Sequence, residues 1–318
     1  MAVLSLNDRA LRVVKQLADA ADDLGAAVHR VGDARVIDAG VDALASIDAG
    51  LLLARICMAD LGQAQLTPGQ VDGVSLPAVS VNVRFAVAAC MASQYAGWQI
   101  TSGDYFAMGS GPMRAARGKE PLFDDIGFRE SPARVVGVLE AGALPDEQVV
   151  ARIAESCNVS PASVTLVVAR TASFAGGVQV VARSVETAMH KLHELSFDLS
   201  RVTAGYGVAP LPPIAKNDMA AIGRTNDAVL YGAQCTLFVT GDDASLADIA
   251  PKLPSSGSKD YGQPFGELFK KYDYDFYKID PMLFSPAMIS LQNIETGHTH
   301  TAGQTNDELL ARSFFARA

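Results

Sequence analysis

Apolar side chains near the start of the chain recur at helical spacing. Ala10, Leu11, Val14, Leu17, Ala18 and Ala21 fall at i, i+3/4 and i+7 behind Asn7, which suits a helix cap. After Gly25 the period shortens to two, and Ala27 to Ile37 alternates as β-structure does before stopping at Gly40. Asp48 opens a second apolar helix over Leu51 to Leu61, and the Val- and Ser-rich stretch Val71 to Val83 reads as strand. Phe85 to Ile100 is smooth and Ala-rich, the pattern of a helix buried on all sides.

Thr101 to Arg129 shows neither period and reads as one long loop, dense in Gly, Met, Arg, Asp and Phe. A loop of that length inside a compact domain is usually functional, and Tyr105, Phe106, Met108, Phe123 and Phe128 argue against disorder. From Ala133 the pattern becomes β-α-β-α-β. Val135 to Leu139 is a strand, Pro145-Asp146-Glu147 opens a helix to Cys157, and Val164 to Ala169 is a second strand. A long helix over Gly177 to Leu195 and an extended Val202 to Ala209 follow, closed by Pro210-Leu-Pro-Pro213. Asp227 to Thr240 then alternates as a strand pair around Gly232, Ser245 to Ile249 is a short helix, and Pro254 to Gly266 is turn-rich. The expectation is an α/β (α+β) protein of two domains, with residues 1–132 plus 214–318 as a discontinuous first domain and 133–213 as the second. At about 150 residues per domain, 318 residues agree.

Composition narrows the class. A hydrophobic fraction of 49%, 19% charged residues and a net charge of −9 describe a globular chain. The acidic balance and single Trp argue against nucleic acid as partner. The longest weakly polar stretch, Phe85 to Trp98, is interrupted by Ser93 and Gln94 and is shorter than the roughly 20 residues of a membrane span. The start, Met-Ala-Val-Leu-Ser-Leu-Asn-Asp, carries no basic segment ahead of an apolar one, so no secretory signal is expected. Cys57, Cys90, Cys157 and Cys235 are scattered without a CxxC and read as reduced core thiols in a cytoplasmic protein.

Candidate chemistry concentrates in the 177–195 helix. Val178, Val181, Val185, Met189 and Leu192 make one apolar stripe, and Arg183, Glu186, His190 and His193 fall broadly opposite. Arg183 and Glu186, at i and i+3, can meet on one face. Lining a cleft, such a pair is a tunable proton acceptor, because burial raises the carboxyl pKa and the guanidinium lowers it. From spacing alone the ordinary reading is a solvated pair worth about 0.3–0.5 kcal/mol. His190 with His193, and His298 with His300, have no HExxH context and no thiol nearby, so no metal is expected. Gly109-Ser110-Gly111-Pro-Met-Arg114 is neither a dinucleotide fingerprint nor a Walker loop. With Arg114 and Arg117 it could still form an anion-binding loop. GxSxG is absent, which removes the usual nucleophile elbow. Arg224, Thr225, Asn226 and Asp227 cluster ahead of the expected 227–240 strands. Asn226 and Asp227 suit the amide edge of a heterocycle, although capping a turn is their commoner use. Tyr231, Tyr261, Tyr272, Tyr274 and Tyr277 suit a flat ring ligand, and equally a core edge or an interface.

Several segments in order resemble the methenyltetrahydromethanopterin cyclohydrolase family. They are Gly-Ser-Gly-Pro (109–112), Ala-Arg-Thr-Ala-Ser (169–173), Ala-Arg-Ser-Val-Glu-Thr-Ala-Met-His-Lys-Leu-His-Glu-Leu (182–195), Gly-Arg-Thr-Asn-Asp-Ala-Val-Leu-Tyr-Gly (223–232), Lys-Asp-Tyr-Gly-Gln-Pro-Phe-Gly-Glu-Leu-Phe (259–269) and Asp-Pro-Met-Leu-Phe-Ser-Pro-Ala (280–287). The resemblance spans essentially the whole chain. It implies a two-domain α/β fold peculiar to the family, a ligand cleft between the domains, and a homotrimer. It implies reversible hydrolysis of the methenyl bridge of 5,10-methenyltetrahydromethanopterin to the 5-formyl compound, in one-carbon metabolism, without metal or redox cofactor. The family's catalytic pair falls on Arg183 and Glu186, with Glu186 as proton acceptor and donor and Arg183 orienting it and tuning its pKa. That overrides the solvated-pair reading. Gly109, Ser110, Gly111 and Arg114, with Arg224, Thr225, Asn226 and Asp227, are then expected to contact the pterin substrate. The rival readings are another pterin-dependent one-carbon enzyme, such as a formyl transferase, and a non-catalytic pterin-binding subunit.

Overall fold

Strand Val164–Ala169 is buried at all six positions, as a central parallel strand covered on both faces must be. It lies in one of two six-stranded sheets of a computed structural model that describes residues 4–315. Residues 1–3 and 316–318, which include the start of the chain discussed above, lie outside the described residues. The structure is mixed α/β and divides into two compact units. One comprises Met1–Gly62 and Ala88–Gln179, the other Gln63–Val87 and Val180–Ala318.

In the first unit the sheet order is Ala27–Val31, Ala34–Asp38, Val164–Ala169, Val135–Glu140, Tyr105–Ser110, Trp98–Ser102. Its middle three strands run parallel and the flanking pairs are antiparallel. Period-two alternation sends Val136, Val138 and Val167 to one face, against Val13, Val14, Leu53 and Ile56 of helices Leu6–Asp19 and Ile47–Cys57. Val135, Leu139, Leu166 and Val168 go to the other, against Val149, Val150 and Ile153 of helix Glu147–Ser156. This is a three-layer sandwich with two cores.

In the second unit the order is Thr299–Gly303, Met288–Asn293, Gln234–Val239, Val202–Pro210, Val74–Arg84, Gly62–Val71. Buried positions alternate along Gln234–Val239 and Met288–Asn293, the mark of a sheet with one covered face. Helix Ser184–Glu194 packs on that sheet against Val202–Pro210 and Gln234–Val239. Helix Asp218–Gly232 packs beside it, and helices Phe265–Lys271 and Asp307–Phe315 both pack on that helix.

Several expectations give way. The first helix is capped by Ser5, whose side chain accepts from Asp8 N. Asn7 is buried instead, and cross-links the unit by donating to Pro112 O and Glu130 and accepting from Val136 N. Within Phe85 to Ile100 the chain forms a π-helix over Val87–Gln94 and then strand Trp98–Ser102. The supposed long loop 101–129 holds a β-hairpin and two one-turn helices, Met113–Arg117 and Leu122–Ile126. Pro112 and Pro121 start those helices, and Gly118 and Gly127 end them in left-handed conformation. Residues read as loop punctuation are thus helix starts and stops. The single 177–195 helix is two helices, Phe174–Val181 and Ser184–Glu194. The 227–240 strand pair is the end of helix Asp218–Gly232, capped by Asn217, followed by strand Gln234–Val239. The 133–213 run also does not stay together: Val135–Glu140 and Val164–Ala169 join the first sheet, Val202–Pro210 the second. The observed units are divided near Gly62, Val87 and Gln179, away from the expected boundaries at 132 and 213.

Candidate active site

The break between the two helices decides where Arg183 and Glu186 go. Arg183 N donates to Val180 O at 3.1 Å, closing the first helix, and Arg183 O accepts from Thr187 N at 2.8 Å, opening the second. Arg183 is therefore the cap residue of helix Ser184–Glu194, with φ −96° and ψ 10°, and Glu186 lies in its first turn. The Thr187 hydroxyl adds a second bond to Arg183 O at 3.0 Å. A carboxylate in the first turn is favoured by the backbone N–H groups converging there. Arg183 is 8% exposed and Glu186 4%, with Nη1 3.8 Å from Oε2. This is a buried ion pair, not the solvated face that spacing alone suggested. A carboxylate held out of bulk water beside a guanidinium is a group that can act in proton transfer.

The rest of the helix is anchored. Lys191 is buried, donates to Met282 O, and is pushed down to about 8 by burial, against the opposing pull of Asp280. Burial also lowers the His190 pKa, with Glu194 opposing; its Nε2 lies 3.5 Å from Glu194. His298 and His300 both turn to Asp243, at 2.7 and 3.5 Å. Among the described residues no group of three His, Cys, Asp or Glu side chains is arranged to hold a metal ion. The four cysteines are buried and unbridged.

The 109–114 segment is not an open anion loop. Gly109 pairs with Trp98 and Leu139 inside the first sheet. Ser110 is buried, its hydroxyl 3.7 Å from Cys57 Sγ. Gly111 takes φ +85°, a conformation that favours glycine, and donates to Ser93 O at 2.9 Å. Arg114 is fully buried: it pairs with Glu120, donates to Met91 O at 2.8 Å, and lies against the rings of Tyr95 and Phe123. The Arg114 guanidinium is thus engaged by groups of its own unit. Arg117 sits over the Trp98 ring and near Glu120.

The 224–227 cluster lies within a helix, not in a turn ahead of a strand. Arg224 donates to Ser313 O, Pro213 O and Ile214 O, Thr225 to Ala221 O, and Asn226 to Ile222 O. Asp227 accepts from Phe265 N at 2.8 Å and from Ser313 Oγ at 2.6 Å, and burial pushes it up to about 7. These bonds tie three helices of the second unit together. Tyr231 is buried, donates to Gln263 O and contacts the Tyr261 ring; Tyr272 donates to Asp260, and Tyr274 packs on Phe269. Tyr277 is exposed.

One polar group escaped the sequence reading. Glu140 ends strand Val135–Glu140 and accepts from Thr171 Oγ1 and from Gln179 Nε2, at 3.5 Å for the latter. Carboxyl ends of parallel strands are where open α/β sheets hold ligands. The signal was a carboxylate closing an apolar strand. Ser93 and Gln94, fully buried at the end of the π-helix, were read only as interruptions of an apolar run, although π-helical turns gather at functional sites.

Comparison with known proteins gives a consistent answer. The model of the family described as Cyclohydrolase (MCH) matches residues 5–314. A methenyltetrahydromethanopterin cyclohydrolase of Rhodopirellula baltica is 46% identical over 289 residues, covering 89% of this chain and 87% of the relative. One of Methylobacillus flagellatus is 42% identical, covering 98% and 95%. One of Methanosarcina barkeri is 41% identical over 320 residues, covering 99% of both chains.

Proposed function

The chain belongs to the cyclohydrolase (MCH) family, a family of hydrolases acting on a cyclic C–N bond of amidine type, and from that premise we propose how its own residues work. The substrate in this reading is 5,10-methenyltetrahydromethanopterin and the product its 5-formyl derivative. The methenyl carbon, flanked by N5 and N10, is an amidinium-like cation, so water needs orientation and loss of a proton more than extra nucleophilicity. Glu186 accepts that proton as the O–C bond forms. It returns one to N10 as the C–N10 bond breaks, and the remaining hydroxyl proton leaves as the formyl C=O develops. One water is consumed and one proton released. Arg183 orients the Glu186 carboxylate and favours its ionised form. Amidinium and formamide carbon share one oxidation level, so the reaction calls for no redox cofactor, and water activation falls to a carboxylate with no metal.

The observation that carries this reading is the burial of Arg183 and Glu186 together at the start of one helix. The placement of Arg114 and of Arg224 to Asp227 supports scaffold roles for them, which concentrates the chemistry on the pair. A homotrimer working in the cytoplasm belongs to the same reading and rests on the family resemblance; light scattering at three times the chain mass tests the assembly. The direct test of activity is the purified protein alone with the methenyl pterin. The expected result is loss of methenyl absorbance without a second substrate and unaffected by chelator. A requirement for a formyl acceptor would make it a transferase, and tight binding with no turnover would make it a binding subunit.

A further inference from the structure

Strand Val202–Pro210 lies inside the second sheet, paired with Gln234–Val239 on one side and Val74–Arg84 on the other. Glycine in a strand interior costs about 0.5–1 kcal/mol relative to alanine, yet this strand has two, Gly205 and Gly207, two apart and on its covered face. Neither has the positive φ that would call for glycine. What they make room for is the start of helix Ser184–Glu194. A Cβ on Gly205 would stand 2.5 Å from Val185 Cγ1, and one on Gly207 would stand 2.9 Å from Ser184 Cβ and closer still to Ser184 Oγ. Ser184 is fully buried and its hydroxyl has no hydrogen-bond partner among the described residues. The helix is therefore seated on bare backbone at the two residues that separate Arg183 from Glu186.

We propose that Gly205 and Gly207 are positioning residues for the reaction. Their missing side chains let the first turn of helix Ser184–Glu194 lie flush on the sheet, and that seat fixes the geometry of Arg183 and Glu186. The inference rests on the catalytic reading of that pair. The Ser184 hydroxyl could rotate away from a methyl group on Gly207, but Ser184 Cβ, 2.9 Å from it, is rigidly attached to the helix. The first turn must lift or rotate, and misplacing catalytic groups by about 1 Å can cost on the order of 100-fold. A plain stability defect would lower the amount of folded enzyme and leave the properties of each folded molecule alone.

The test compares full-length Gly207→Ala, Gly205→Ala, Ser184→Gly and the double variant Gly207→Ala/Ser184→Gly, with Glu186→Gln alongside. Folding is followed by circular dichroism, and kcat, KM and the pH profile of kcat are measured on folded protein. The expected result is a fall in kcat of about 10- to 100-fold for Gly207→Ala, with a smaller change in KM. The acidic limb of the profile should be displaced, and the double variant should recover most of the loss, because removing the Ser184 side chain restores the space. If Gly207→Ala does not fold, Gly205→Ala with Val185→Ala as its relieving partner gives the same comparison. Folded Gly207→Ala with wild-type kcat and pH profile, or no recovery in the double variant, would overturn the proposal. Should Glu186→Gln keep wild-type turnover, the catalytic reading itself fails; Glu186→Gln inactive beside a normal Gly207→Ala sinks only the seat.

Discussion

Arg183 Nη1 stands 3.8 Å from Glu186 Oε2, with both side chains more than nine-tenths buried. The separation is too long for a hydrogen bond between them and within ion-pair range. Replacing Arg183 with Gln, which keeps polarity and loses the ion pair, should lower kcat about 10- to 100-fold on folded protein, with a smaller change in KM, if the guanidinium orients the carboxylate. Wild-type kcat in folded Arg183→Gln would remove Arg183 from the reaction.

Arg114 supplies a contrast. Its guanidinium is fully buried with Glu120, Met91 O and two aromatic rings. Removing one partner of a buried ion pair leaves an uncompensated charge and costs about 3–5 kcal/mol. Arg114→Ala should lose stability on that scale in denaturant titration, while folded protein keeps its KM. A raised KM with unchanged stability would restore the substrate-contact role expected from sequence.

Asp227 ties stability to pH. Its folded-state pKa is raised from 3.8 to about 7, chiefly by burial, so the folded chain holds a proton that the unfolded chain has released between those values. The associated stability is fully present below pH 3.8 and is lost as pH rises through 7, at up to about 1.4 kcal/mol per unit. Asp227→Asn keeps an acceptor for Phe265 N and cannot ionise. Its stability relative to the wild type should rise across that window. A constant difference from pH 4 to 8 would show that Asp227 titrates normally.

Lys191 acts in the opposite direction at higher pH. Burial lowers its pKa from 10.5 to about 8, so between those values the unfolded chain binds the extra proton and wild-type stability gains as pH rises. Lys191→Met removes the titrating group. The wild type should gain on the variant between pH 8 and 10.5 in matched thermal melts, and parallel curves would contradict the shift.

How far residues alone reached can be judged element by element. Val164–Ala169 was bounded correctly because an unbroken apolar run between turns has one use in a doubly covered sheet. Helix Glu147–Ser156 was visible through its Asp146 cap. The hairpin and short helices of 101–129 were hidden because Pro and Gly mark helix starts and stops as readily as loops. Arg183 and Glu186 were placed together by spacing, but their burial was not foreseen. The spacing argument holds along one straight helix, and the break at Arg183 resets the facing of everything after it. The turn expected at 224–227 gives way to helix for a related reason: Asn and Asp favour turns, and here tertiary bonds to Phe265 and Ser313 hold Asp227 inside a helix.

The central claim is that Glu186 moves the proton, and one comparison bears on it most directly: turnover of Glu186→Gln against wild type, on protein shown to be folded, with the methenyl pterin as sole substrate. Loss of a general acid–base group costs typically 10²–10⁴-fold, and a fall of about that size in kcat is the predicted result. Turnover at the wild-type rate would contradict the account.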